Sequence, residues 1–276
     1  WFTVVYLPAC HMVWGGGMLS KLGVIDFAGG LVVHLTCGVG ALVVALVLGS
    51  RKGFPESPMP PHSRIMVVTG AAMLWVGWFG FNAGSAVAAN GDAGMAMLVT
   101  HISAAVAALI WMFIEWVKQG RPTVVGIATG MVAGLATITP AAGTVGPGGA
   151  LLIGVLAGAV CFFATQVVKG IFRIDDSLDV FSVHGVGGIL GIIMLSFVGT
   201  PGGFLGDGAS GISSESSLTQ LWIQLQGILV IGVWTGIATW TILKIIGLFT
   251  KLRVDVDSED QGLDLTEHGE RGYDLS

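Results

Sequence analysis

The chain has 276 residues, of which 53% are hydrophobic and 11% charged, with 44 glycines and a mean hydropathy of +0.83. Soluble domains carry about 25% charged residues, so this composition argues against a soluble enzyme, a nucleic-acid binder or a secreted disulfide scaffold. The formal charge of −5 arises from 12 Lys+Arg against 17 Asp+Glu, and Cys10, Cys37 and Cys161 lie in apolar runs without CxxC spacing, which indicates neither a disulfide framework nor a metal motif.

A bilayer-crossing helix needs about 20 mostly apolar residues. Eight stretches qualify: 1–20, 27–50, 65–89, 95–117, 123–143, 149–168, 180–200 and 218–250. Trp1 opens inside the first without a charged segment before it, so the chain is expected to begin partway through a longer protein. In that first stretch, Trp14 sits in His11-Met-Val-Trp14-Gly-Gly-Gly. His11 there, like His101 in the fourth, is expected to serve as a helix-helix hydrogen-bonding partner.

Asp26 opens the second stretch and is expected to cap its helix. His34 follows within it, and Gly38 comes four residues later. The third stretch ends in Trp75-Val-Gly-Trp78-Phe-Gly-Phe81-Asn-Ala-Gly-Ser85. Aromatic faces attract cations without imposing a fixed charge, and the Ser85 hydroxyl can accept a hydrogen bond from an N–H donor. Gly126, Gly130 and Gly134 on the fifth stretch, and Gly154 with Gly158 on the sixth, form small-residue ridges that let helix backbones approach closely.

In the seventh stretch, His184 follows Asp179 and is followed four residues later by Gly188, repeating the pattern around His34. Asp175, Asp176 and Asp179 are expected to cap this helix or to pair with Lys169 or Arg173. The eighth stretch is long enough to imply tilt, a bend at Gly227, Gly232 or Gly236, or an extension beyond the bilayer. Of the 12 Lys+Arg, 11 fall on one set of alternating loops or beside it, Lys21 being the exception. By the positive-inside rule those loops are cytoplasmic, as are both ends of the chain.

The expected architecture is therefore an all-α polytopic membrane protein. It is an inverted-repeat helical bundle of eight transmembrane helices over residues 1–250, with a cytoplasmic tail at 251–276. His34 and His184 lie on oppositely directed helices, the arrangement of an inverted-repeat transporter with a midplane site. Two neutral imidazoles each offer one donor and one acceptor, which suits a shared proton in a narrow pore.

The stretches HMVWGGG, DFAGGLVVH, GWFGFNAGSA, ITPAAG, DVFSVHGVGG and GLDLTEHGERGY resemble, in order, those of the ammonium transporter family of Amt, Mep and Rh proteins. Bacterial and plant members have eleven spans, and this chain resembles spans four to eleven. The resemblance implies that Trp14 and Ser85 form an external recruitment site supported by Asp26, and that Phe81 is one of two gate phenylalanines. It further implies that His34 and His184 are the twin histidines of the conduction path and that Trp78 and Val180 line the pore. The substrates it implies are ammonium, ammonia and methylammonium, with no cofactor, metal or nucleic acid involved. It also implies a homotrimer in the cell membrane and docking of a PII-type regulator at the cytoplasmic face. Thr266 resembles the phosphorylated threonine of plant members. Trp14 and the Amt-type tail favour this branch over the Rhesus branch. An ammonium sensor signalling to a partner, and an intramembrane hydrolase using Ser85 with a histidine, are the alternatives.

Overall fold

The computed structural model describes residues 1–57, 59–199 and 217–273. Among them, eight helices are long and apolar enough to cross a membrane: α1 Phe2–Leu22, α2 Gly30–Leu48, α3 Arg64–Gly84, α4 Gly91–Gln119, α5 Val124–Ala141, α6 Pro147–Ile171, α7 Phe181–Val198 and α8 Ser217–Gly247. Thr200, the expected end of the seventh span, lies outside the described residues, as does the end of the tail from Asp274. Side-chain caps start three of these helices. Ser63, Asn90 and Thr123 accept from the backbone N–H three residues on, at 3.2, 3.1 and 2.9 Å, filling donors that a helix start otherwise leaves unpaired.

The first span is not one continuous helix. It breaks at Trp14–Gly17, where Gly17 N–H donates to the His11 carbonyl and Gly16 takes φ +74°. A Cβ at Gly15 would sit 2.6 Å from the His11 ring, so the glycine run in HMVWGGG exists to make this turn. The third span ends five residues before its expected end at Ala89, with Ser85 as the C-cap of α3. The eighth is a continuous 31-residue α-helix, about 46 Å at 1.5 Å per residue. Gly227 lets Val24 and Leu31 pack against it.

The two glycine ridges share one partner, α4. A Cβ at Gly134 would meet the Ser103 carbonyl at 2.5 Å, and one at Gly158 the Ala107 carbonyl at 2.7 Å. Ser103 Oγ donates across this contact to the Gly134 carbonyl at 2.9 Å. Lipid supplies no hydrophobic drive between helices, so close backbone packing and such bonds hold the bundle. At the far end of α4, buried Glu115 accepts from Thr123 N–H at 2.7 Å and ties α4 to the start of α5.

The tail docks on its own chain. After α8 the chain forms two short helices, α9 Val256–Gln261 and α10 Leu263–Thr266. Arg253 forks onto Glu259 at 2.6–3.0 Å and donates to the Leu48 carbonyl at 3.0 Å. Lys52 meets Glu259 through its backbone and Asp260 through its ammonium. Next to it, Arg51 holds Asp175 before α7 with two parallel bonds at 2.8 Å. The Lys52 N–H bond and the Arg253 fork keep the Glu259 carboxyl below its ordinary range, and Arg51 does the same for Asp175. Lowered carboxyl values mean that docking is complete above the unfolded value of about 4 and is lost as pH falls through the lower folded values. Limited proteolysis at pH 7 should cut the tail of Arg253→Ala several-fold faster than that of wild type. Equal rates would show that the fork does not hold the tail.

Candidate functional site

The centre of the bundle is built from two helix starts that mirror one another. Both histidines sit on short π-helical openings, Gly30–Leu35 of α2 and Phe181–Gly185 of α7. Such wide turns release backbone groups and recur at functional sites. The Asp26 carboxylate accepts from the N–H groups of Gly29, Gly30, Leu31 and Val32 at 2.5–3.1 Å. Across the site, the Asp176 carboxylate accepts from Val180, Phe181 and Ser182 at 2.8–3.3 Å. Each aspartate precedes its histidine by eight residues.

This arrangement revises the sequence expectation. The aspartate equivalent to Asp26 is Asp176, because its carboxylate reaches three free donors of the helix start. Asp179, at φ +56°, turns away and pairs with Lys169 at 2.8 Å. Burial, the largest influence on Asp179, raises its carboxyl despite the neighbouring Lys169. Asp175 pairs with Arg51 rather than with Lys169 or Arg173.

The glycines four residues past each histidine explain how the rings meet. A Cβ at Gly188 would lie 2.7 Å from the Gly30 carbonyl and 3.0 Å from His34 Cβ. A Cβ at Gly38 would run into the backbone of Gly185, next to His184. Each glycine thus admits the other helix at its histidine. The result is a contact of 3.1 Å between His34 Nδ1 and His184 Nδ1, with ring centroids 5.2 Å apart. That contact needs one N–H and one lone pair, so at least one ring is neutral. His34 is 3% exposed, and its Nε2 is buried without a hydrogen-bond partner.

Aromatic rings cover the pair. Trp78 stacks on His34 and lies parallel to His184, at 5.3 and 6.4 Å between centroids, and Phe81 meets His34 edge-on at 6.3 Å. Trp78 is held by its Nε1–H, which donates to Thr139 Oγ1 at 2.9 Å. The ITPAAG motif therefore has a mechanical meaning. Thr139 anchors the tryptophan, Pro140 packs where a side chain at Gly30 would collide, and Gly143 leaves room for Phe27. Sequence reasoning missed Thr139, for which the one available signal was a hydroxyl beside a proline in an apolar run.

The remaining expected site residues lie at separate places in the bundle and tail. Trp14 is half exposed, and its indole N–H donates to the Asp26 carbonyl at 2.7 Å, so Asp26 fixes both α2 and the tryptophan. Ser85 Oγ donates to the Phe81 carbonyl at 2.9 Å, which leaves its lone pairs as acceptors. On the other side of the histidines, Val180 borders a cavity of about 370 Å³ shared with Ala41, Leu48 and Asp175. A second cavity of about 580 Å³ reaches from Arg51 and Pro60 to Val183 and His184. Thr266, far from the pair, bonds the Gly262 carbonyl within α10. His11 and His101 are both exposed, and His101 meets α3 through ring contact rather than a hydrogen bond, stacking on Trp75 at 5.2 Å.

These features define a multi-pass helical membrane protein with a histidine pair at the crossing of two inverted helices, roofed by aromatic rings. The chain belongs to the ammonium transporter family, whose sequence model matches residues 1–273. It is 43% identical over 274 residues to the ammonium transporter of Bacillus subtilis, covering 99% of this chain and 67% of that protein. Against Amt1 of Archaeoglobus fulgidus the identity is 44%, covering 99% and 68%. Saccharomyces cerevisiae Mep2 superposes with a TM-score of 0.86 at 40% identity, over 93% of this chain and 59% of that one. A structure described as a sensor Amt protein gives 0.87 at 29% identity, over 96% and 67%. The chain thus spans about two thirds of these relatives, and somewhat less of Mep2.

Proposed function

We propose that the intact protein carries ammonium across the cell membrane by stripping its proton and passing ammonia between His34 and His184. The observation that carries this reading is the Nδ1–Nδ1 contact at 3.1 Å inside an aromatic cage. A small neutral molecule with both a donor and an acceptor can exchange hydrogen bonds with such a pair, whereas a hydrated cation must lose its water. Ammonium is recruited at Trp14 and Ser85, where an indole face and a hydroxyl acceptor attract a cation, with Asp26 fixing Trp14 and the helix start. Phe81 gates the path below, Trp78 and Val180 line it, and the proton travels along the histidines or stays behind.

Both ends of the described chain face the cytoplasm in this reading, which the basic residues of the alternate loops support. The protein works as a homotrimer, and the tail from Lys251 is a regulatory segment open to a PII-type partner or to phosphorylation at Thr266. The bonds from Lys52 to Glu259 and Asp260 support this reading, because they tie the tail to the loop whose neighbouring Arg51 holds Asp175 ahead of α7.

The likeness to a sensor Amt structure favours a second reading, ammonium sensing with little flux. Expression of the intact protein in a strain lacking ammonium uptake separates the two. Transport predicts growth on low ammonium and uptake of labelled methylammonium. Failure to restore either, with the protein present in the membrane, would leave sensing as the function. A hydrolase is disfavoured by chemistry, since the Ser85 hydroxyl is donated to the Phe81 carbonyl while the histidines bond one another.

A further inference from the structure

The histidine pair has a third neighbour that the conduction reading does not use. Cys37 lies one helical turn beyond His34 on α2, with its thiol donating to the His34 carbonyl at 3.4 Å. One ligand atom from each of His34, Cys37 and His184 lies within 4.8 Å of the others. Two imidazoles and a thiol at this separation form a compact set of soft and borderline metal donors.

We propose that His34, Cys37 and His184 bind a soft monovalent metal ion, Cu(I) or Ag(I), at the point where the two helices cross. Nitrogens about 2.0–2.1 Å from one metal at a tetrahedral angle are about 3.3 Å apart. The observed 3.1 Å needs little adjustment. The sulfur would close to about 3.6 Å from each nitrogen, a move available by rotation of Cys37 about its Cα–Cβ bond.

Charge selects the metal class. On binding, the Cys37 thiol releases its proton to solvent, and the hydrogen shared between the Nδ1 atoms relocates to an Nε2. Both Nδ1 lone pairs then face the metal. A monovalent ion with one thiolate and two neutral imidazoles gives a site of zero net charge, the form least penalised by an apolar interior. A divalent ion such as Zn2+ would leave a positive charge and a fourth position to fill. Thiolate also favours Cu(I) over harder ions. Because the metal would take the lone pairs that the Proposed function assigns to ammonia, occupancy should block transport. That consequence rests on the transport reading, whereas the binding itself does not.

Purified intact protein should take one equivalent of Cu(I) from a chromophoric Cu(I) chelator. Cys37→Ser should weaken this by more than the roughly 10–100-fold that outer-shell changes cost, and Cys10→Ala should leave it unchanged. Serine keeps the hydroxyl bond to the His34 carbonyl, and undiminished ammonium flux in Cys37→Ser shows that the variant is folded. In proteoliposomes, Ag+ should abolish wild-type flux reversibly on addition of excess thiol, while Cys37→Ser resists. Equal Cu(I) affinity in wild type and Cys37→Ser, or equal affinity for Zn2+ and Cu(I), would overturn the site. Tight Cys37-dependent binding without loss of flux would support the site and overturn the assignment of transport to the histidine pair.

Discussion

Gly188→Val should be the most disruptive single substitution in the bundle. The new side chain would begin 2.7 Å from the Gly30 carbonyl and 3.0 Å from His34 Cβ, against backbone that cannot rotate aside. Overpacking of this kind costs about 1–3 kcal/mol and occasionally more, and here the nearest atoms, the Gly30 carbonyl and His34 Cβ, are both fixed by the α2 backbone. The loss is expected at the upper end, about 3 kcal/mol, as a lower melting temperature in detergent. Transport should fail even in the fraction that folds, because relief of the clash moves His34 off His184. The control is Gly232→Ala on α8, where a Cβ meets nothing within 4 Å. There, replacing a helical glycine should be neutral or stabilising by about 0.5–1 kcal/mol. Equal melting of the two variants would show that the α2–α7 crossing is not tight.

Asp26→Ala has the second large effect. The carboxylate is 5% exposed and serves four backbone donors that open α2. Removing it leaves those donors buried without a partner, at about 1–3 kcal/mol each before relaxation. A total of about 3 kcal/mol or more is expected, seen as poor accumulation and early melting. Asp26→Asn should fall between alanine and wild type, because the carboxamide offers one acceptor oxygen while its NH2 faces donors. If Asp26→Asn melts with wild type yet loses transport, the carboxylate acts on the substrate directly rather than through the helix start.

Much of this site is legible in the sequence. The spans followed from hydropathy, and the match between Asp26-to-Gly38 and Asp179-to-Gly188 pointed to paired histidines on opposed helices. Proximity in sequence points to Asp179, whereas Asp176 is the aspartate that serves the helix start. A helix that opens with a π turn places its free N–H groups where the residue eight before the histidine can reach them, and no linear pattern reveals that turn. Apolar composition makes Trp14 part of a continuous span, because it does not register a break made by three glycines.

Cys37 shows the other limit. Three cysteines in apolar runs looked inert by CxxC spacing, yet His34-Leu-Thr-Cys37 is itself a one-turn spacing on a helix. His184, the third member of the set, lies 150 residues from His34 along the chain, and only the tertiary fold brings it there. Glu115 belongs here as well. An acidic residue inside a span suggests function, but its carboxylate is consumed by Thr123 and Trp111 at the α4–α5 junction.

The central claim is that ammonia passes between His34 and His184. Reconstitution of the intact protein in proteoliposomes, with ammonium and potassium gradients applied in turn, tests it most directly. Wild type should respond to ammonium and not to potassium, and His34→Ala and His184→Ala should each lose that ammonium-specific response by at least tenfold. Ammonium-specific flux at the wild-type rate in either folded variant would contradict the account.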